Sequence, residues 1–423
     1  MKRLIFKYLS IICCTVAVSC TYEYEAEIPD EADIVVIDGR IVAGSTSTVN
    51  ISKATRLDGT TSQSRLVVSG VLECEDGTTI QGISSDTPSY YYDPTSSYYN
   101  PTSLSPSISF DTKNIDPSKR YKVFIDAGEE GSFESDWLPV FKAPVIDDLS
   151  YVITEGTDEK ALDFRISAHS ETPYFAVSYM EAWEHTSLTS TFLEYYPETN
   201  TVDEASWIGH EHPYYRCWQE SAKPITVISS AAHTDNKIVD AYLTKIGQTN
   251  LKLSVLYRLI ATVTTTSKEY YEYWDNLRKI SYVDGDLFTP IPSNMEGNIH
   301  RKSGKGTVVG YLGASQAAID TIYVKNKGFY RWPREYTTIL NQLMHYQKNY
   351  DFPGDLTEYY CPTAEEWPDA YAKGNVPIRE ASDDKGMITG VYVWGMKQCV
   401  DCRYLGGGLN FPADWPDRNN PNL

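Results

Sequence analysis

From Leu251 to Val263 every second residue is apolar: Leu251, Leu253, Val255, Tyr257, Leu259, Ala261 and Val263. A period of two puts these side chains on one face of an extended chain, and Leu256 and Ile260 between them call for cover on the other face as well. A chain carrying that pattern must build sheets. The alternation recurs where Leu162, Phe164, Ile166 and Ala168 interleave with Asp163, Arg165 and Ser167. Further short strands are predicted at Ile34–Ile37, around Val49 and Ile51, and at Ile108–Asp111, Tyr121–Asp126, Leu149–Thr154, Thr307–Leu312, Ala318–Val324 and Ile388–Trp394. Leu66–Glu75 runs through Asp76-Gly77 into Thr78-Thr79-Ile80, a strong hairpin signal, and Asp116-Pro117 marks another turn. Helix is the minority. Thr266 and Glu269 form a capping box ahead of Tyr270, Tyr273, Trp274 and Leu277, which predicts a helix over Ser267–Lys279. Tyr336, Ile339, Leu340 and Leu343 after Pro333 predict a second, weaker one. The expected fold is mainly β. An antiparallel, immunoglobulin-like β-sandwich spans 32–144, and a larger β-rich domain with one or two short helices spans 145–423.

Residues 1–31 carry an address. Lys2, Arg3 and Lys7 precede an apolar stretch from Tyr8 to Val18 that ends in small residues before Cys20. This is the layout of a secretory signal, residues 1–19, and a stretch of roughly eleven apolar residues is too short to span ~30 Å of hydrocarbon. The cysteine directly behind it makes the segment look like a bacterial lipoprotein signal, with Cys20 as the lipidated first residue of the mature chain. Residues 20–31, with Glu23, Glu25, Glu27, Asp30 and Glu31, form an acidic tether that resembles the signal sending lipoproteins of Bacteroidota to the outer face of the outer membrane. The expected location is therefore the outer membrane, lipid-anchored and surface-exposed. With 57 acidic against 37 basic residues, a net charge of −20 argues against a nucleic-acid partner, whose phosphates demand a basic face.

Further along, Gly285-Asp286-Leu287-Phe288-Thr289-Pro290 leads to Gly297-Asn298-Ile299 and Val309-Gly310-Tyr311, and the chain closes with Cys399-Val400-Asp401-Cys402-Arg403, Gly406-Gly407, Pro412 and Trp415. This order resembles the Bacteroidota outer-membrane lipoprotein family of domain of unknown function 4249. The likeness is most specific in 284–312 and 399–415, while the Tyr-rich loop 87–101 and the stretch 327–387 look like insertions. The resemblance brings no activity or cofactor with it. It implies an accessory role beside a TonB-dependent transporter, because members are often encoded next to one.

Cys217, Cys361, Cys399 and Cys402 are the candidate disulfide cysteines, with Cys74 buried in a strand. One reading joins Cys217 to Cys399 or Cys402 and leaves Cys361 to the remaining thiol. Four thiols allow three pairings, so the sequence does not choose. Zinc at Cys399-x-x-Cys402 lacks a second ligand pair, and a redox helix is incompatible with the Gly-rich run that follows. His210 and His212 are weak metal candidates, with His185 or Cys217 as a conceivable third ligand. Asp284-Gly285-Asp286 and Asp383-Asp384 are too short for a calcium loop and are expected to be turns. No G-x-S-x-G, H-E-x-x-H or phosphate-loop signature occurs, so no catalytic residue, metal or cofactor is expected. An extracytoplasmic hydrolase remains the least favoured alternative. The chain has 33 tyrosines, many in doublets, and Tyr90, Tyr91, Tyr92, Tyr98 and Tyr99 of loop 87–101 are the candidate contact surface for a glycan or peptide. The expected function is that of an accessory or ligand-binding component for a transporter, acting by capture of such a ligand or by docking of the N-terminal sandwich or the tail on the transporter, with glycan or peptide binding alone as the alternative.

Overall fold

The computed structural model describes residues 34–53, 68–90, 101–156, 159–207, 211–232, 235–282, 297–344, 360–382 and 388–417. Cys20 and the acidic run behind it, Tyr91, Tyr92, Tyr98, Tyr99, His210, residues 284–296 and Asp383-Asp384 lie outside them.

Alternating apolar residues build the first sandwich. Strands β1 (Ile34–Ala43), β2 (Thr46–Lys53), β3 (Ser69–Cys74), β4 (Thr79–Gln81), β5 (Ile83–Tyr90), β6 (Pro101–Asp111), β7 (Arg120–Asp126), β8 (Ser132–Ser135) and β9 (Leu138–Phe141) follow in order. One layer runs β5-β6-β2-β1, and the other groups β4, β3, β7 and β8. Between them Val35, Ile37, Ile41, Val49, Ile51, Ile108 and Phe110 meet Leu72, Val123, Ile125, Phe133 and Leu138, all buried. At roughly 1.5–3 kcal/mol for each large side chain, this core holds the layers together. Loop 87–101 is shorter than expected, because β5 continues to Tyr90, paired with Pro101, and β6 begins at Pro101. Pro88 is tolerated there because β5 is the outermost strand, where a missing N–H breaks no ladder.

The second sandwich begins at β10 (Val145–Glu155). It continues through β11 (Lys160–His169), β12 (Tyr174–Thr186), the hairpin β13 (Leu193–Tyr196) and β14 (Thr201–Glu204), β15 (Arg216–Ser229), β16 (Lys237–Gly247) and β17 (Leu256–Thr265). The layer β10-β11-β16 faces β12, β15 and β17, and Leu162, Phe164, Ile166 and Ala168 pack onto Tyr257, Leu259, Ala261 and Val263. The expected strand from Leu251 starts late. Asn250 caps a 3-10 turn at Leu251–Leu253 by accepting from the Lys252 N–H at 3.1 Å, and the strand opens at Leu256. Helix α1 (Lys268–Tyr282) follows, one residue later than expected, since Ser267 and not Thr266 caps it by accepting from the Tyr270 N–H at 3.1 Å. Its buried Tyr270 sits against Ala176 and Val227.

The chain then returns to the first sandwich. β18 (Ile299–Arg301) pairs with β8, β19 (Thr307–Val309) lies parallel to β1, and β20 (Gly313–Lys325) starts parallel to β1 and β9 before continuing antiparallel to β17. Residues from both sides of Pro144 thus build the first sandwich, and β20 belongs to both. The return is locked by the residues that carried the family resemblance. Asn298 and Leu312 exchange two hydrogen bonds of 2.8 Å, and Gly310, at φ +153°, passes so close to the Ile37 carbonyl that a Cβ would collide with it.

Beyond β20, helix α2 (Arg334–Met344), helix α3 (Trp367–Ala372), β21 (Asn375–Ser382) and β22 (Ile388–Met396) form a satellite with the β13–β14 hairpin. One of its clusters gathers Met344, Ile378, Val393 and Cys399, and another gathers Tyr195, Trp367, Tyr392 and Trp394. Among the described residues no helix is long and apolar enough to cross a membrane.

Candidate functional site

The ends of four strands open a cleft of about 400 Å³. Thr186 closes β12, Tyr215 precedes and Arg216 opens β15, Ser254 and Val255 precede β17, and Lys325 ends β20 with Asn326 directly after it. Tyr330 and Trp332 complete the wall from the segment behind β20, which Asn326 shapes. The Asn326 amide donates to the Ser254 carbonyl at 2.9 Å, and its oxygen accepts from the N–H groups of Gly328 and Tyr330 at 3.0 and 3.3 Å. Gln248 ties the same segment down by donating to the Phe329 carbonyl at 2.8 Å. Trp332, 37% exposed, is held by Tyr330 and Tyr336, whose rings stand at 89° and 67° to it.

Arg216 is the most constrained cation of the cleft. Its Nη1 donates to Oε1 of the fully buried Glu184 at 2.9 Å, Nε and Nη2 grip Glu211 as a fork, and the guanidinium lies 5.5 Å from the Tyr215 ring. Burial works against its charge, but Glu211 and Glu184 outweigh it and hold its pKa above the usual arginine value. The Tyr330 hydroxyl is buried without a hydrogen-bond partner among the described residues, and that burial pushes its pKa up. None of the nine lining side chains is a carboxylate. The walls offer flat aromatic rings and N–H and O–H donors, which suits them to binding a ligand.

Next to the cleft, the Cys-x-Asp-Cys-Arg tail is a clamp. Cys402 is joined to Cys217, 185 residues earlier, and its N–H donates to the Tyr214 carbonyl at 2.8 Å. Asp401 caps the turn by accepting from the Arg403 N–H at 3.0 Å, and it pairs with the Arg403 guanidinium, which lies 4.5 Å from the Tyr214 ring. Burial would raise the Asp401 pKa, but the Arg403 bonds hold it below the usual carboxylate range. Trp218 and Gly408 exchange backbone bonds of 2.8 and 3.0 Å, so the tail covers part of the open edge of β15. Gly407, at φ +87°, makes this approach possible, since a Cβ there would come within 2.6 Å of the Trp218 carbonyl oxygen. Further on, Arg258 donates to the Ala413 carbonyl and lies 5.3 Å from the Trp415 ring.

The cysteines separate. Cys217 bonds to Cys402, while Cys361 and Cys399 are thiols inside the satellite and Cys74 is buried in β3. Burial raises the Cys399 thiol to about 12. Among the described residues the histidines stand apart, and His210 lies outside them. Cys217 is spent in the disulfide, His185 is fully buried with Nε2 3.3 Å from the Cys402 carbonyl, and His212 accepts from the Tyr214 N–H and meets Trp207 edge-on. Among the described residues no three His, Cys, Asp or Glu side chains gather as a metal set. Of the tyrosine candidates, Tyr90 ends β5 and the other four lie outside the described residues. The cleft itself escaped the sequence reading, although Tyr215 of the doublet Tyr214-Tyr215 lines it. The signal in the sequence is Phe329-Tyr330-Arg331-Trp332, within the stretch 327–387.

Residues 21–320 match the model of a protein family described as "Domain of unknown function (DUF4249)". The matched region ends within β20, so Lys325, Asn326, Tyr330, Trp332 and the tail clamp lie beyond it. No curated protein matches the chain.

Proposed function

The chain belongs to the DUF4249 family, and from that premise we propose that it is a non-catalytic lipoprotein of the outer membrane that binds a glycan or peptide on behalf of a TonB-dependent transporter. Cys20 behind a short apolar signal supports the lipid anchor, and the acidic run after it supports display on the cell surface. The observation that carries the binding role is the cleft, where three aromatic rings and two cations meet at strand ends with the Arg216 charge fixed from behind. Aromatic walls with a few placed polar groups are the usual composition of a ligand site, and about 400 Å³ falls within the ~300–1,000 Å³ range of such sites. The transporter partner rests on the family resemblance.

Affinity purification of the tagged full chain from gently solubilised membranes tests the partnership. Co-purification of a β-barrel transporter is the expected result. Its absence, with the chain intact and lipidated, leaves a binding protein that acts alone. Turnover of a glycan or peptide by the purified chain would replace binding with hydrolysis.

A further inference from the structure

Resting on the cleft as the ligand site, we infer that its ligand is a neutral saccharide, with one sugar ring lying on the Trp332 indole and its hydroxyls bonded by Arg216 and Thr186. Three observations point this way. First, charge is balanced where it matters. Arg216 and Lys325 face the cleft, but Glu184 and Glu211 are both bonded to Arg216, so an acidic ligand would find little net positive field. Second, unspent hydrogen-bond capacity surrounds a flat apolar surface. A guanidinium has five N–H donors, and Arg216 makes three hydrogen bonds to its two glutamates, so two N–H groups remain. Thr186 brings a hydroxyl to the lining, and the buried Tyr330 hydroxyl at the same wall has no hydrogen-bond partner among the described residues. A sugar presents the matching pattern, an apolar C–H face ringed by hydroxyls that both donate and accept. Third, one route for a peptide is closed. An extended peptide can bind by adding to an open strand edge, and the edge of β15 is already taken at Trp218 by Gly408.

The mature chain in mild detergent, probed against a printed glycan array and a phage library of random peptides, tests the inference. Binding to neutral array glycans is expected, followed calorimetrically with the best-bound disaccharide. Trp332→Ala should weaken that binding at least about ten-fold, equivalent to ~1.4 kcal/mol, and Thr186→Val about three-fold. Trp332→Phe, which keeps a ring, should restore most of the affinity, and an unchanged melting temperature shows that each variant is folded. A blank glycan array, selection of peptides instead, or a saccharide bound equally well by Trp332→Ala overturns the inference. Failure here, with a transporter still co-purifying, would remove the saccharide and leave the membrane partnership standing. Saccharide binding without a transporter would do the reverse.

Discussion

The two sandwiches share β20 but treat buried polarity in opposite ways. In the first, the buried polar residues are uncharged, hydroxyls and the Asn298 amide. Ser47 meets Thr112 at 2.6 Å and accepts from the Val42 N–H at 2.7 Å, and Ser135 accepts from the Val123 N–H at 3.0 Å. In the second, whole charges are buried. Glu181 is fully inaccessible, accepting from the Tyr257 hydroxyl at 2.8 Å and from Lys252 at 2.7 Å, and Glu184 and Arg258 are buried as well. A hydroxyl with a partner costs little to bury, whereas a buried ion costs several kcal/mol before its partner returns any of it. The first sandwich is built for stability. The second gives some up to fix charge beside the cleft and the clamp, which is where strained electrostatics is expected if the region binds something.

The largest test of that contrast is Glu181→Ala, which strands Lys252 and the Tyr257 hydroxyl and should cost about 3–5 kcal/mol in denaturant unfolding. Ser47→Ala in the first sandwich should cost only about 1–2 kcal/mol. Equal losses would erase the distinction. Next comes the double change Cys217→Ser with Cys402→Ser, expected to lower stability by about 2–4 kcal/mol and to speed amide exchange at Trp218 without touching β1 or β2. A smaller effect separates two glycines of similar backbone geometry. Gly407→Ala meets the Trp218 carbonyl and should cost about 1–3 kcal/mol more than Gly44→Ala, which at φ +90° meets nothing within 4 Å. The smallest is a pH effect. Burial lowers the pKa of His185 and of His212 below the usual 6.5, so the folded state holds them neutral. Stability from this source is complete above 6.5 and is lost as pH falls through the depressed values. Unfolding midpoints should therefore drop as pH falls below about 6.5, and His185→Gln should flatten part of that slope.

Much of the strand content was legible because one face of each strand is buried, as at Leu162–Ala168. The error at Leu251 has the same origin. Leu253 is buried in a 3-10 turn, so the apolar period runs on past the end of the strand. Thr266 and Ser267 are both competent caps, and only the backbone path decides between them. The parallel pairing of β1 with β19 and β20 leaves no local trace, since it joins segments far apart in sequence. At the site, Cys-x-Asp-Cys-Arg stood out in the sequence, but the choice of Cys217 for Cys402 depends on where β15 begins. The cleft was invisible for a related reason. Trp332 reaches it through the turn that Asn326 pins, a contact between the end of one strand and the approach to another.

Strand β1 has one further consequence, for biogenesis. Its second neighbour arrives only with Thr307–Val309 and Gly313–Gln316, about 270 residues after it. The first strand of the described fold is therefore among the last to be sealed, and its apolar ribbon stays one-sided until then. A gene fragment cut near residue 144 would give a sticky half-product, whereas one extended through Lys325 would carry every strand the ribbon needs.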